Sequence, residues 1–159
     1  MKTVVVYDSV YGNTEKIAQA IGQVLRAQSE TQVIRIAQVK PMNLKSATLL
    51  IVGSPTQRFR ATPAIKTFLA RIGKGELNGV QVATFDTRLG LEDMPSRILP
   101  PFVKIFGYAA KPIADALVSK GGKLIASPEG FLVKGMEGPL KDGELERAAQ
   151  WATRIELRP

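Results

Sequence analysis

The sequence predicts an α/β chain, a three-layer doubly wound sandwich around a five-stranded parallel sheet of order 2-1-3-4-5. Two observations carry this. Short apolar, β-branched runs alternate along the chain with stretches whose apolar residues recur at helical spacing. The central runs are apolar at both odd and even positions, as strands covered on both faces are. Right-handed crossovers then restrict the connectivity, and the order 2-1-3-4-5 suits five strands with a ligand crevice beyond their carboxyl ends, at the switch point between strands 1 and 3.

TVVVY (3–7) reads as the first buried strand. Ile17, Ile21, Val24 and Leu25 then form one face of a helix. TQVIRI (31–36) alternates and reads as a strand nearer an edge, and ATLLIVGS (47–54) as a central one. Thr62 is placed to cap a helix that Pro63 opens, with Ile65, Phe68, Leu69 and Ile72 inward. GVQVATFD (79–86) is the fourth strand. The Pro-rich MPSRILPPF (94–102) delays the next helix to about 109–120. KLIAS (123–127) and FLVKG (131–135) make one fifth strand interrupted by SPEG. Asp142 is a cap candidate for a last helix with Leu145, Ala148, Ala152 and Ile155 inward.

At 159 residues, with 45% apolar content, the chain is expected to form one globular domain spanning 1–159. No apolar run is long enough to span a bilayer, and MKTVVVYDS lacks the apolar core and cleavage site of a signal peptide, so the expected location is the cytoplasm. There is no Cys and no His. That excludes disulfides, thiol nucleophiles, Ser-His triads, cysteine-ligated iron–sulfur clusters and most zinc sites, and no metal ligands are assigned. Demanding chemistry in such a chain would come from a bound cofactor. The net charge of +8 favours anionic partners. The basic residues are scattered, and the 6% of aromatics show no base-stacking stripe, which argues against nucleic acid.

Three polar segments converge on the expected crevice: DSVYGNTE after the first strand, GSPTQRFRAT after the third and DTRLGLED after the fourth. In the first, Ser9 and Thr14 offer hydroxyls, and Gly12 permits a positive φ and close backbone approach. The free N–H groups of the following helical turn favour an anion. The segment matches neither G-x-G-x-x-G nor a Walker loop. On the residues alone it is either a capped helix start or a phosphate cradle.

SVYGNTE (9–15) resembles the phosphate loop of the flavodoxin-like family, roughly S/T-x-T/Y-G-x-T-E. The resemblance extends over nearly the whole chain through strand count, crossovers and the three crevice segments. It implies that Ser9, Val10, Tyr11, Gly12, Asn13 and Thr14 hold the phosphate of flavin mononucleotide (FMN). It further implies that Pro55, Thr56, Gln57, Arg58 and Phe59 flank the isoalloxazine ring, and that Asp86, Thr87, Arg88 and Leu89 contact its edge. Phe59 either stacks on the ring or packs in the core beside Phe68. Asp86 either contacts the ring or caps a turn. Arg58, Arg60 and Arg88 either place positive charge beside the flavin or are solvated.

The S-x-Y-G form and GSPTQRF are similar to the quinone-reductase branch of that family more than to its small electron carriers. Those carriers usually have an aromatic in the third segment and often a Gly in the second, and they are typically acidic. Here DTRLGLED has no aromatic, no Gly lies between Ser54 and Ile72, and the chain is basic. A redox partner docking by charge would then present an acidic surface. The reading implied is an FMN-binding redox protein transferring electrons between partner proteins. The alternatives are an NAD(P)H-dependent FMN quinone oxidoreductase and a flavin-free flavodoxin-fold module used for binding or regulation. A phosphoacceptor receiver domain, which shares the strand order, is set aside because the first strand yields only Asp8 and the third ends in Gly53-Ser54.

Overall fold

The computed structural model describes residues 1–93 and 108–156, so the passage 94–102 lies outside the described residues. The strands are β1 (Lys2–Tyr7), β2 (Glu30–Arg35), β3 (Leu49–Pro55), β4 (Gln81–Leu89), β5 (Lys123–Leu124) and β6 (Glu129–Val133). The helices are α1 (Asn13–Leu25), α2 (Pro41–Leu44), α3 (Pro63–Arg71), α4 (Ala110–Ser119) and α5 (Glu144–Glu156).

All named strand pairs are parallel, in the order β2-β1-β3-β4-β5, with β6 also on β4. β5 covers Gln81 and Val82, and β6 covers Phe85–Leu89 along the same edge. The fifth position is therefore one strand interrupted between Leu124 and Glu129, as the sequence implied. β4 runs on to Leu89, past the expected end at 86, because β6 lies along its other side. The crossover from β2 to β3 contains only a short 3-10 turn and the four residues of α2. Ile36, Val39 and Leu44 cover the sheet there in place of a full helix.

The core has two halves because strand side chains alternate between faces. Val5, Ile51 and Phe85 point toward α1 and α5, where Ile17, Ile21, Leu25, Ala148 and Ile155 are buried. Val4, Val6, Leu50 and Val52 point toward α3 and α4, meeting Ile65, Phe68, Ile113 and Leu117. On the first face Phe85, Phe131 and Trp151 meet edge to face, with centroids 6.0 to 6.2 Å apart. Phe85 lies across Gly53, its register partner on β3; a Cβ at Gly53 would stand 2.1 Å from the ring.

The last helix departs from the sequence expectation at its start. Its inward stripe is Ala148, Trp151, Ala152 and Ile155, so the inward place one turn earlier falls to Glu144, and Leu145 is 43% exposed. Asp142 does not cap: its carboxylate pairs with Lys134 at 3.5 Å, and the first turn closes on Gly143 C=O, which accepts from Arg147 N–H. The Glu144 carboxylate accepts from Leu132 N–H at 2.6 Å and from the Arg147 guanidinium at 2.6 and 2.9 Å. Arg147 also binds Glu129 and lies 4.6 Å over the Phe131 ring, tying α5 to β6. Burial alone would raise the Glu144 pKa. The hydrogen bonds from Arg147 and Leu132 N–H and the charges of Arg147 and Lys141 outweigh that and hold it below the usual carboxylate range.

Gly53→Ala should lower the unfolding free energy by about 2 kcal/mol, as overpacking does, seen in a urea titration as a lower midpoint at unchanged slope. Because Glu144 has a depressed pKa in the folded state, its contribution is complete above its unfolded pKa and is lost as pH falls through the folded one. Glu144→Gln should therefore be less stable than the parent at neutral pH, with the gap closing in acid.

Candidate functional site

At the carboxyl ends of the strands the chain leaves β1 for one face of the sheet and β3 for the other, and a cleft of about 600 Å³ opens between the two departures. Its floor and one wall come from the turn after β1. Ser9 is 3% exposed. Its Oγ accepts from the N–H groups of Gly12 at 3.0 Å and Glu15 at 3.4 Å, leaving the hydroxyl proton uncommitted. Gly12 caps α1 at φ 89°, a backbone state that side chains disfavour, and a Cβ there would meet nothing within 4 Å. The backbone N–H groups of Val10, Tyr11, Asn13 and Thr14 have no acceptor among the described residues. They gather around the N-terminus of a 13-residue helix. Unmet donors at a helix start, with the helix dipole behind them and one free hydroxyl, form a receptor for a phosphate-sized anion.

The turn is fixed at both sides. The Asp8 carboxylate accepts from Ser9 N–H at 2.9 Å and from the Thr62 hydroxyl at 2.6 Å, joining the first turn to the cap of α3. Thr62 in turn accepts from Ile65 N–H and donates its own N–H to Ser54 Oγ. On the other side the hydroxyls of Thr14 and Thr87 meet at 2.7 Å in a buried hydrogen bond. The Arg35 guanidinium binds Ser9 C=O from the neighbouring strand.

The second wall is the turn after β3. Thr56 N–H donates to Thr87 C=O at 2.8 Å, and Gln57 and Arg60 exchange two backbone hydrogen bonds at 2.9 Å. The two residues between them, Arg58 at φ 47° and Phe59 at φ 66°, both hold positive φ with no Gly present. That is the geometry of a tight two-residue turn normally built from Asn and Gly. Pro55, Thr56, Gln57 and Arg58 line the cleft. Phe59 does not; it lines an adjoining groove of about 590 Å³ with Leu69, Pro112, Ile113 and Ala116.

The third segment is strand rather than loop. Thr87, Arg88 and Leu89, at the end of β4, line the cleft, whereas Asp86 is fully buried behind them. Its carboxylate is bidentate to the Arg88 guanidinium at 2.5 and 2.7 Å and accepts from Ala110 N–H at 2.8 Å, so it caps the start of α4. Burial pushes the Asp86 carboxyl above its ordinary pKa, against the opposing pull of Arg88, Ala110 N–H and Thr56. Arg88 also stacks on Tyr108, 3.7 Å from the ring centroid. Its charge is thus spent within the chain. Arg58, Arg60 and Lys66, at the cleft mouth, are exposed and have no carboxylate partner among the described residues.

A fourth wall was not expected from the sequence. The Gly- and Pro-rich stretch after β6 folds back, with Lys134 N–H on Pro139 C=O and Lys141 N–H on Leu132 C=O. Glu137 C=O accepts from the Asn13 side chain at 3.1 Å. Val133 and Met136 thereby face the cleft. Pro63 and Lys66, in the first turn of α3, join it because Thr62 is bound to Asp8. Only the turn composition of GFLVKGMEGPLKDGE hinted at such a return.

The chain matches the family model described as Flavodoxin domain over residues 4–118. Among solved structures, it is similar to oxidised flavodoxin 1 from Bacillus cereus at 20% identity and a TM-score of 0.77, with 100% of this chain and 99% of that one covered. A flavodoxin from the domain Archaea is 26% identical with a TM-score of 0.73, covering 98% and 96%. Rubredoxin oxygen:oxidoreductase from Desulfovibrio gigas, at 22% identity and 0.73, covers 97% of this chain and is itself covered over 35%. No curated protein matches significantly by sequence.

The Thr14–Thr87 contact predicts that the two residues act as a unit. In a double-mutant cycle of Thr14→Val and Thr87→Val, unfolding should show a coupling of about 1 kcal/mol. Full additivity would mean that the hydroxyls do not hold the two walls together.

Proposed function

This chain belongs to the flavodoxin family, and from that membership we propose that it is an FMN-binding redox protein that passes electrons between partner proteins. Its cofactor is FMN, which supplies the electron-transfer chemistry when bound. The single observation that carries the reading is the set of four unmet N–H groups and the free Ser9 hydroxyl at the start of α1. They fit a flavin phosphate without a dedicated cation.

The side chains bind and orient. Ser9 and the amides of Val10, Tyr11, Asn13 and Thr14 take the phosphate. The Pro55–Arg58 turn, the Thr87–Leu89 strand end and Met136 line the cleft and would hold the ring. Exposed Tyr11 stands at the rim of the cleft. Arg58, Arg60 and Lys66 give the mouth a positive field that attracts an acidic partner and favours a reduced, anionic ring. Because Asp86 neutralises Arg88, this field comes from the mouth rather than the floor. The reading takes all 159 residues as one such unit working in the cytoplasm. Among the described residues no helix is long and apolar enough to cross a membrane.

A second reading, NAD(P)H oxidation with transfer to a quinone, is favoured by one observation. The groove beneath Phe59 shares Arg58, Arg60, Ala61 and Lys66 with the cleft, leaving room for an anionic co-substrate beside the flavin. Steady-state turnover of NADPH with a quinone separates the two.

FMN should bind roughly a hundredfold or more tightly than riboflavin, which lacks the phosphate, because several charge-assisted hydrogen bonds depend on it. Fluorescence quenching titrations with both flavins test this. Gly12→Val forces a β-branched residue into positive φ and should abolish most of that preference while the protein stays folded. Equal affinity for the two flavins would remove the phosphate assignment, and a protein that takes up neither would be the flavin-free module.

A further inference from the structure

In a parallel sheet every crossover returns to the same end, so the loops that precede the strands share one surface, opposite the cleft. Here that end is basic. Lys2 opens β1, Lys45 precedes β3, Lys74 lies between α3 and β4, Lys120 follows α4 and Lys123 opens β5. Hydrogen bonds run from one loop to the next. Lys2 Nζ donates to Lys45 C=O, Thr48 N–H to Lys2 C=O, and Gln81 N–H to Thr48 C=O. Leu77 N–H then donates to Lys120 C=O, and Lys123 N–H to Val80 C=O.

Of the other described cations, Arg35, Arg88, Lys111, Lys134, Lys141 and Arg147 each reach a carboxylate, and Lys16, Arg26, Lys40, Arg58, Arg60, Lys66, Arg71 and Arg154 do not. None of the five lysines at the strand-start end does so among the described residues. The carboxylates nearby are Glu30, exposed, and Glu76, which accepts from Gly73 N–H at 2.6 Å. Apolar side chains stand among the lysines in water: Met1 at 59% exposure, Met42 at 68% and Leu124 at 38%. Met42 borders a cavity of about 680 Å³ lined by Leu44, Lys45, Leu77 and Val80.

We propose that this end docks on an anionic lipid surface. Unpaired lysines supply the attraction to acidic headgroups, and the interleaved apolar side chains reach past them. The composition disfavours nucleic acid, because none of the described aromatic residues lies at this end to stack a base. The lysines have long flexible stems, which suits headgroups of no fixed geometry, and exposed Arg26 and Arg71, at the C-terminal ends of α1 and α3, add positive charge at the same end. The contact is peripheral. It holds the cleft, about 20 Å away across strands of six or seven residues, toward the aqueous side where soluble partners arrive. It does not depend on the flavin assignment, since no residue of the cleft takes part.

The test is flotation of the purified 159-residue chain with vesicles of phosphatidylcholine alone and mixed with phosphatidylserine. Binding is expected only to the mixed vesicles, and it should weaken with added salt. Lys74→Ala/Lys123→Ala should weaken it roughly tenfold or more. The control pair Lys111→Ala/Lys134→Ala removes the same charge at the cleft end and should leave it within about twofold. Both lysines in the test pair are exposed and unpaired, so circular dichroism should show unchanged folding. No binding to the mixed vesicles would overturn the proposal. So would equal weakening by the two pairs, or tighter binding to a single-stranded or duplex oligonucleotide than to the vesicles.

Discussion

The cleft depends on the Asp8 carboxylate more than on any other side chain. β1 and β3 are neighbours whose following helices diverge to opposite faces, so the backbone must part at this point and the two departing segments must be held at a fixed separation. Asp8 does this with one oxygen on Ser9 N–H and the other on the Thr62 hydroxyl. Thr62 is itself the cap of α3. A single acceptor thus sets the orientation of the first turn and the position from which α3 brings Pro63 and Lys66 to the mouth. The Thr14–Thr87 bond and the Thr56–Thr87 backbone bond close the same ring of contacts from β4. The unmet amides face an opening whose walls are joined to one another, which is what preorganisation of an anion site requires.

Charge in this protein is partitioned by pairing. Some cations are neutralised within the chain: Arg88 with Asp86 behind the cleft, Arg147 with Glu129 and Glu144 where α5 meets β6, Lys141 with Glu92 and Asp93. Unpaired cations stand at the cleft mouth, as Arg58, Arg60 and Lys66, and at the strand-start end, as the five lysines there, and others such as Lys16, Lys40 and Arg154 lie outside these two groups. The two ends differ in what accompanies the charge: the cleft with its unmet amides at one, exposed methionine and leucine at the other.

Much of the fold was legible because both-faced apolar strands and one-faced helices leave different periodicities. Thr62-Pro63 marked the start of α3 without ambiguity, and the break in the fifth strand was visible as SPEG. What the sequence misplaced was decided by long-range partners. Leu145 looked inward by spacing, but Glu144 took the inward place because Arg147 and Leu132 N–H were there to satisfy it. Thr87–Leu89 looked like a loop because nothing local shows that β6 returns to extend β4. The cleft's first turn was legible as a local motif. Its fourth wall was not, because Asn13 meets Glu137 across most of the chain. Nor was the basic end, because its lysines come one or two per crossover and only the parallel topology brings them together.

The turn at Arg58 and Phe59 shows where the sequence yields to the site. Both residues sit at positive φ, where each non-Gly residue costs of the order of 1 kcal/mol or more. Asn and Gly would adopt the turn without strain, but they would remove the guanidinium from the cleft mouth and the ring from the groove beside it. The strain persists because the surroundings over-determine the turn. Gln57 and Arg60 close it with two backbone bonds, Thr56 fixes its base on Thr87, and Ser54 Oγ receives Thr62 N–H at its exit. A turn held this firmly at both ends has little freedom to flip a peptide as its ligand changes charge. On the proposed function, the second wall would therefore act on a bound ring mainly through the fixed positive charge of Arg58 and through shape.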